Sequence, residues 1–155
     1  MSSKELQSLI SEETIELDRE FENKIDAIKG LLQLIDDTGN VKDREKALNA
    51  LKEREEEATT GVGKGIGIPH AKTEAVTEPA AAFIRAEDGV DFDAADGEPA
   101  RLLFMLLFPE GTEDEYLEVL SSISRSLIHD DVREKLLNAE TPENAFEIIE
   151  EEVSE

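Results

Sequence analysis

Seven consecutive apolar residues, at positions 102–108, constrain the fold of this chain more than any other feature of its sequence. A run of this length, ended by Pro109 and Gly111, predicts a strand over residues 101–108 that is buried on both faces. Such strands lie in the middle of layered α/β sheets, where helices cover both sides. The run therefore calls for a sheet with a helical layer on each face.

The segments around this run alternate between helical and strand patterns. Short strands are predicted at residues 14–17 and 80–85. Polar residues mark the predicted helix starts, and Thr112 with Glu115 forms a capping-box pattern. Asn23, Asp43 and Thr112 are predicted caps, a short helix is expected to start at Asp130 or Asp131, and Thr141-Pro142-Glu143-Asn144 starts the last helix. We therefore expect an α/β fold in a single domain over residues 1–155, with a core at roughly 12–150. The sheet should be small and mixed, with four or five strands flanked by helices on both faces.

The acidic composition bears on stability. Asp and Glu total 39 against 16 Lys and Arg, which gives a formal net charge of −23. Three interpretations compete: a disordered chain, an acidic tail on a neutral domain, or a folded domain with an acidic surface. Apolar residues make up 39% and the acids are spread along the chain, which favours the third. At molar salt the Debye length is about 3 Å, so self-repulsion is screened and we expect a halophilic protein. An acidic mesophilic protein is the alternative.

The composition also excludes several classes of function. Without a basic stripe, the chain is not expected to bind nucleic acid or an anionic membrane surface. The absence of cysteine excludes disulfides, thiolate nucleophiles and cysteine-ligated metals. No apolar stretch approaches the roughly 18 residues of a membrane span, and the N-terminus lacks a signal-peptide core. We therefore expect a cytoplasmic protein with no direct membrane insertion.

A glycine-rich segment that ends in Pro69-His70 is the best candidate for a functional site. Residues 61–67 hold four glycines, and the amides of such a loop can converge on an anion. A histidine beside them suits phosphoryl transfer, because one ring nitrogen attacks phosphorus while the other donates the hydrogen bond that fixes the tautomer. The pattern alone leaves open a second interpretation, a turn histidine in a surface loop.

Other chemistry finds less support in the sequence. The glycines lack the Gly-Lys-Ser/Thr of a Walker loop, and no Gly-x-Ser-x-Gly elbow occurs. One histidine with scattered carboxylates is a poor zinc site. The second histidine, His129, lies at the end of a predicted helix, where the helix dipole favours it; a role as ligand or base is the weaker interpretation. We expect no metal and no tightly bound cofactor.

A longer pattern surrounds His70. It runs from Glu55 over six residues to Val62-Gly63, then over two residues to Ile66-Gly67-Ile68-Pro69-His70-Ala71. This pattern resembles the phosphorylation-site motif of the fructose/mannitol type of enzyme IIA (EIIA, type 2) of the sugar phosphotransferase system (PTS). Gly67 stands where the family usually has alanine. The resemblance covers roughly residues 12–150, and with the acidic composition it indicates a haloarchaeal, fructose-specific member.

The resemblance implies a phosphotransferase component that relays a phosphoryl group. His70 would accept the group at Nε2 from the phosphocarrier protein HPr. It would then pass the group to a cysteine of an EIIB component during uptake of a sugar, with fructose expected. The alternative is a regulatory, nitrogen-related EIIA in which phosphorylation of the same histidine controls binding to target proteins. A pure interaction domain with a degenerate site is a further alternative.

Several residues near His70 are further candidates. By the resemblance, Arg54 lies near the phosphoryl group and offsets its charge; a helix-end cation among glutamates is the alternative. Tyr116 stands where the family often has a second histidine, and is either a hydroxyl donor or a half-buried aromatic. The Thr60 hydroxyl could also donate to the phosphoryl group. Lys64 and Lys72 flank the site, and we interpret them as solvated lysines.

The acidic composition also leads to an expectation for the pKa of His70. A negative field favours the imidazolium form and should raise the pKa of His70, which Arg54 and high salt would counter. Because attack on phosphorus requires the neutral imidazole, phosphoryl acceptance is expected to fall at low pH.

Overall fold

The computed structural model describes residues 6–153, in which strands and helices alternate along the chain. The strands are β1 (Ile15–Arg19), β2 (Gly61–Gly63), β3 (Ile66–Gly67), β4 (His70–Lys72), β5 (Ala80–Val90) and β6 (Ala100–Phe108). The helices are α1 (Leu6–Leu9), α2 (Lys24–Asp36), α3 (Arg44–Glu57), α4 (Glu113–Leu127), α5 (Asp130–Leu137) and α6 (Pro142–Glu152), with a 3₁₀ turn at Glu12–Thr14. The predicted α/β class is confirmed.

All these strands belong to one mixed sheet with the order β1-β5-β6-β3-β2. The pairs β5–β6 and β2–β3 are antiparallel, and β1 runs parallel to β5. Both β3 and β4 pair in parallel with β6, one after the other along its length. The described residues thus form six strands rather than the expected four or five. The additional strands come from the glycine-rich segment, where strands of two or three residues are too short to show a period.

Strand β6 explains the apolar run. Its side chains alternate between two cores, and residues 102–108 are all buried. The core shared with α1, α4, α5 and α6 contains Leu102, Phe104, Leu106 and Phe108. The core shared with α2 and α3 contains Leu103, Met105 and Leu107. Helices therefore cover both faces of the sheet, as predicted.

Most of the predicted helix caps are present. Asn23, Asp43 and Thr141 each accept a hydrogen bond from the amide three residues further on, at 2.9–3.1 Å. The predicted capping box at Thr112 is wrong, because its hydroxyl donates to the carbonyl of Pro109 at 2.7 Å. The backbone of Thr112 (φ −117°, ψ 36°) is not extended, and an N-cap side chain needs extended backbone to reach the helix amides.

The packed region extends beyond the expected limits of residues 12–150. Leu6 and Ile10 contact the α4–α6 side of the sheet, and Val153 is fully buried there. The sequence shows little sign of α1, because four residues are too few to display a helical period. No helix within residues 6–153 combines the length and apolarity needed to cross a membrane.

Candidate functional site

His70 is the first residue of β4 and is 8% exposed. Its register partner on β6 is Leu106, and the amide of Leu106 donates to the carbonyl of Pro69 at 3.1 Å. The backbone of His70 is therefore fixed to the central strand of the sheet. A turn histidine in a surface loop, the second interpretation of the pattern, does not describe this environment.

The imidazole of His70 is held by a hydrogen bond to its own chain. Nδ1 lies 2.6 Å from the carbonyl oxygen of Ile68. A carbonyl only accepts, so Nδ1 must carry the proton and donate it. In the neutral imidazole this leaves Nε2 with its lone pair free, which is the nitrogen that can act as a nucleophile.

The expected rise in the pKa of His70 is wrong. Burial of the imidazole lowers its pKa from the ordinary value of 6.5, and the positive charge of Arg54 lowers it further. The hydrogen bond to Ile68 and the negative charge of Glu55 act in the opposite direction but do not reverse the shift. The acidic residues that dominate the net charge face solvent, whereas desolvation acts directly on the buried ring. His70 is therefore held in the neutral form that attack on phosphorus requires.

Arg54 lies in the last turn of α3, half-buried beside the site. Its Nη1 donates to the carbonyl of Ala58 at 2.8 Å, at the C-terminal cap of that helix. Its charge lowers the pKa of both His70 and Tyr116, so it acts on the electrostatics of the site. The structure thus brings the predicted arginine and histidine together.

Tyr116 in α4 packs against the imidazole. The two ring centroids are 5.6 Å apart and the planes are tilted by 56°. Tyr116 also makes an edge-to-face contact with Phe108, with ring centroids 5.4 Å apart, and the ammonium of Lys72 lies 5.5 Å from the centroid of the Tyr116 ring. Burial raises the pKa of Tyr116 to about 12, so its hydroxyl keeps its proton at neutral pH. Lys72 also pairs with Glu113 at 3.8 Å, which places it beside the site.

Thr60 is buried, and its hydroxyl points to Glu55. The hydroxyl donates to Oε1 of Glu55 at 2.6 Å, and the amide of Thr60 donates to Oε2 at 2.9 Å. Lys24 of α2 adds a third donor to Oε2 at 3.1 Å. The single hydroxyl proton of Thr60 is therefore engaged with Glu55. Its donation to a phosphoryl group remains a prediction.

The glycine-rich segment is a small hairpin rather than an open loop. Strands β2 and β3 are joined through Gly63, Lys64 and Gly65, which all have positive φ (89°, 58° and 79°). The amide of Lys64 donates to Oδ2 of Asp96 at 2.8 Å, and that of Gly61 to the hydroxyl of Thr59 at 2.9 Å. These two amides are bonded within the protein and are not available to an anion; convergence of the other amides of the segment on an anion stays a prediction.

The structure explains why glycine stands at position 67, where the family usually has alanine. A Cβ at this position would lie 3.1 Å from Cδ2 of Leu103 and 3.3 Å from the ring of Phe92. Phe92 is fully buried and follows β5. A methyl group at position 67 would therefore be tight, and Leu103 and Phe92 would have to shift by a few tenths of an ångström to admit it.

His129 lies far from His70. It follows the end of α4 and stands exposed before the first turn of α5. Eleven helical residues and Ile128 separate it from Tyr116, and the helical part alone spans about 17 Å along the axis. Its place after a helix end agrees with the prediction, although it also begins the next helix. Between residues 6 and 153, no group of three or more His, Asp or Glu side chains is arranged to hold a metal ion.

Sequence reasoning missed three contacts that shape this site. The carbonyl of Ile68 as partner of Nδ1 could have been suspected, because Pro69 fixes the chain between the two residues. Lys24 carries no such signal, since it contacts Glu55 across 31 residues of sequence. Glu55 itself begins the pattern around His70, but nothing in the spacing shows that it binds Thr60.

Comparison with known proteins agrees with this geometry. The profile of the family described as "Phosphoenolpyruvate-dependent sugar phosphotransferase system, EIIA 2" matches residues 8–152. The chain is 54% identical to the PTS system fructose-specific EIIA component of Haloferax volcanii, over 91% of this chain and 92% of that protein. It is 40% identical to the PTS system fructose-specific EIIABC component of Bacillus subtilis, over 91% of this chain but 22% of that protein.

A solved structure shows the same fold. The nitrogen regulatory protein IIA-Ntr of Neisseria meningitidis superposes with a TM-score of 0.82 and 32% identity, over 92% of this chain and 97% of that chain. The match of nearly the whole chain to one family, with a buried and singly hydrogen-bonded histidine at its motif, leads to one conclusion. This chain belongs to the EIIA type 2 family of the phosphoenolpyruvate-dependent sugar phosphotransferase system.

Proposed function

We propose that this chain is a phosphoryl carrier in which Nε2 of His70 accepts a phosphoryl group from HPr and passes it to a cysteine of an EIIB component. The observation that carries this proposal is the hydrogen bond from Nδ1 to the carbonyl of Ile68. It fixes the tautomer in which Nε2 is the nucleophile, on a backbone anchored to the central strand.

The transfer requires no cofactor of this domain. The Nε2 lone pair forms the new N–P bond, while the bond from phosphorus to the donor breaks and the donor keeps that electron pair. In the second step a thiolate of EIIB takes the phosphoryl group, and Nε2 recovers its lone pair. Nδ1 keeps its proton throughout, so the carbonyl of Ile68 holds the ring in both states.

Arg54 and Tyr116, two neighbours of His70, would stabilise the phosphoryl group in different ways. Arg54 offsets the negative charge that His70 gains, because its field already acts on the imidazole. Tyr116 stays protonated and its ring contacts the imidazole, so its hydroxyl can serve as a neutral donor to a phosphoryl oxygen. This division of roles takes the place of a second histidine.

The relatives support the partner and the sugar. The Haloferax relative is named as fructose-specific, and we propose fructose as the sugar whose uptake this chain serves. The Bacillus relative combines EIIA with B and C components, which supports an EIIB component as the acceptor. The acidic surface supports action in a halophilic cytoplasm.

A regulatory role is the second candidate function. The similarity to IIA-Ntr of Neisseria meningitidis, at 32% identity, favours it. In that role the same phosphorylation of His70 controls binding to a target protein, and no sugar is moved.

The experiment uses phospho-HPr from the source organism in molar KCl. Intact-mass spectrometry of the wild type should show the addition of one phosphoryl group. His70→Ala should show none, and His129→Ala, which removes the other histidine of the chain, should behave as the wild type. Phosphate uptake by His70→Ala would refute the proposed acceptor.

A second measurement separates transport from regulation. The phosphorylated chain is mixed with the EIIB component, and the loss of phosphate from His70 is followed by mass. Rapid transfer to the EIIB cysteine is expected for a transport component. Retention of the phosphate, with binding to a regulatory target that depends on it, would favour the second function.

A further inference from the structure

A line of hydrogen bonds runs from α2 to the imidazole of His70. Lys24 Nζ donates to Glu55 Oε2 at 3.1 Å, and Glu55 accepts both the amide and the hydroxyl of Thr60 at 2.9 and 2.6 Å. The carbonyl of Thr60 accepts the amide of Ile68 at 2.9 Å. The carbonyl of Ile68 in turn accepts Nδ1 of His70 at 2.6 Å.

This line is shielded from solvent at its centre. The side chain of Glu55 is 6% exposed, and Thr60 and Ile68 are buried. A buried carboxylate is costly unless donors satisfy it, and here three donors converge on it. Two of the three donors, the amide and the hydroxyl, belong to Thr60, so Glu55 fixes Thr60 while Lys24 holds the carboxylate in place.

Ile68 connects this line to the imidazole through the two peptide groups on either side of its Cα. Its amide is bonded to Thr60 and its carbonyl to His70, so a shift at Thr60 tilts the acceptor of Nδ1. Pro69 lies between Ile68 and His70, and its ring restricts the backbone that would otherwise absorb the tilt. The orientation of the imidazole therefore depends on residues that do not touch it.

We propose that Glu55 is a positioning residue that fixes the tautomer and orientation of His70 through Thr60 and the carbonyl of Ile68. This inference rests on the proposed acceptor function of His70. It gives the Thr60 hydroxyl a role within the protein, in place of direct contact with the phosphoryl group. Glu55 acts through His70 and touches neither partner nor reacting atom.

The side-chain chemistry distinguishes two substitutions of Glu55. In Glu55→Gln the amide oxygen can accept from Lys24 and the amide of Thr60, while its NH₂ group donates to the Thr60 hydroxyl, which then accepts. In Glu55→Ala the amide and hydroxyl of Thr60 both lose their acceptor. Glutamine should therefore preserve the arrangement that alanine abolishes.

The test measures the imidazole directly and the reaction separately. ¹⁵N NMR of the unphosphorylated protein reports which ring nitrogen of His70 carries the proton, and the rate of phosphoryl uptake from phospho-HPr is measured beside it. In Glu55→Ala we expect a mixture of the two tautomers and a rate lower by roughly tenfold or more. Glu55→Gln should keep the wild-type tautomer and a rate within about threefold of the wild type, since its bonds are preserved.

Two further variants complete the set. Glu56→Ala removes the neighbouring, exposed glutamate of the same helix and should leave tautomer and rate unchanged. Thr60→Val removes only the hydroxyl, and should show the effects of Glu55→Ala in weaker form. If Glu55→Ala does not fold, Thr60→Val decides the question by the same criteria.

The proposal is overturned if Glu55→Ala retains the wild-type tautomer of His70, whatever its rate. Where Glu55→Ala does not fold, the same result for Thr60→Val overturns it. A slower Thr60→Val with unchanged tautomer would instead assign its hydroxyl to the phosphoryl group. Because the NMR measurement uses unphosphorylated protein, it stands even if wild-type His70 accepts no phosphate. A wild-type protein that accepts no phosphate would refute the proposed function. The NMR spectra would still decide whether Glu55 orients the ring of His70.

Discussion

Strand β6 and the segment from Thr59 to Lys72 lie side by side and both enter the apolar cores, but the segment depends in addition on polar contacts to side chains. Strand β6 is stabilised by side chains that alternate between two apolar cores. The neighbouring segment contains three strands of two or three residues, which hydrogen bonds to β6, Glu55 and Asp96 hold in place. The sheet therefore supplies stability, while the polar contacts beside it orient one imidazole.

The largest expected effect is a loss of stability without a loss of chemistry. Phe104 of β6 is fully buried, and its ring lies 4.6 Å from that of Phe83. Phe104→Ala should lower the free energy of unfolding by about 4 kcal/mol, because it leaves a cavity in the core. Urea unfolding in molar KCl measures this loss.

The matched control is Leu117→Ala on α4, where the side chain is 57% exposed. It should change the free energy of unfolding by no more than about 0.5 kcal/mol. Below its unfolding temperature, Phe104→Ala should still accept a phosphoryl group on His70. A variant that is folded but inactive would show that the core and the site are not separable.

Tyr116→Phe should slow phosphoryl uptake with little loss of stability, which is the reverse of the effect expected for Phe104→Ala. Phenylalanine keeps the ring contacts with His70 and Phe108 but removes the hydroxyl. A hydrogen bond to a charged oxygen contributes about 1.5 kcal/mol, so we expect phosphoryl uptake to slow by roughly tenfold with little change in stability. Stopped-flow or quench measurements with phospho-HPr test this. An unchanged rate would leave Tyr116 as a packing residue only.

Gly67→Ala tests the boundary between the two regions. The added methyl group meets Leu103 of the sheet at 3.1 Å and Phe92 at 3.3 Å, so we expect a destabilisation of about 1 kcal/mol. Phe92→Leu in the same background should relieve part of it. A double-mutant cycle measured by urea unfolding would show this as coupling, and strictly additive effects would contradict the contact.

The smallest expected effect is the dependence of stability on pH. The ordinary pKa of histidine is 6.5, and that of His70 in the folded protein is lower. Between these two values the unfolded chain binds more protons, so stability increases as pH rises through this window and is lost as pH falls. Phosphoryl acceptance should persist below pH 6.5 for the same reason, because the imidazole stays neutral there.

Unfolding of wild type and His70→Gln over pH 5 to 7 measures this contribution. The wild type should lose more stability on acidification than His70→Gln, and His129→Gln serves as the control for an exposed histidine. Equal losses in wild type and His70→Gln would contradict a neutral, buried imidazole.

The same comparison explains what the sequence could predict. The class of fold, β6 and the caps at Asn23, Asp43 and Thr141 were predictable, because each depends on residues close in sequence. The short strands β2–β4 and the contact of Lys24 with Glu55 were not, because they exist only when distant segments meet. The direction of the pKa shift at His70 was predicted wrongly, since net charge says nothing about burial of one ring.

The low exposure of His70 sets an order of events for the proposed relay. With 8% of the residue open to solvent and its backbone bonded to β6, the imidazole cannot swing out to meet one protein while another is bound. Donor and acceptor must therefore use the same opening in turn, and each must leave before the other arrives. Steady-state kinetics should then be ping-pong, with parallel double-reciprocal plots and inhibition by an excess of either partner.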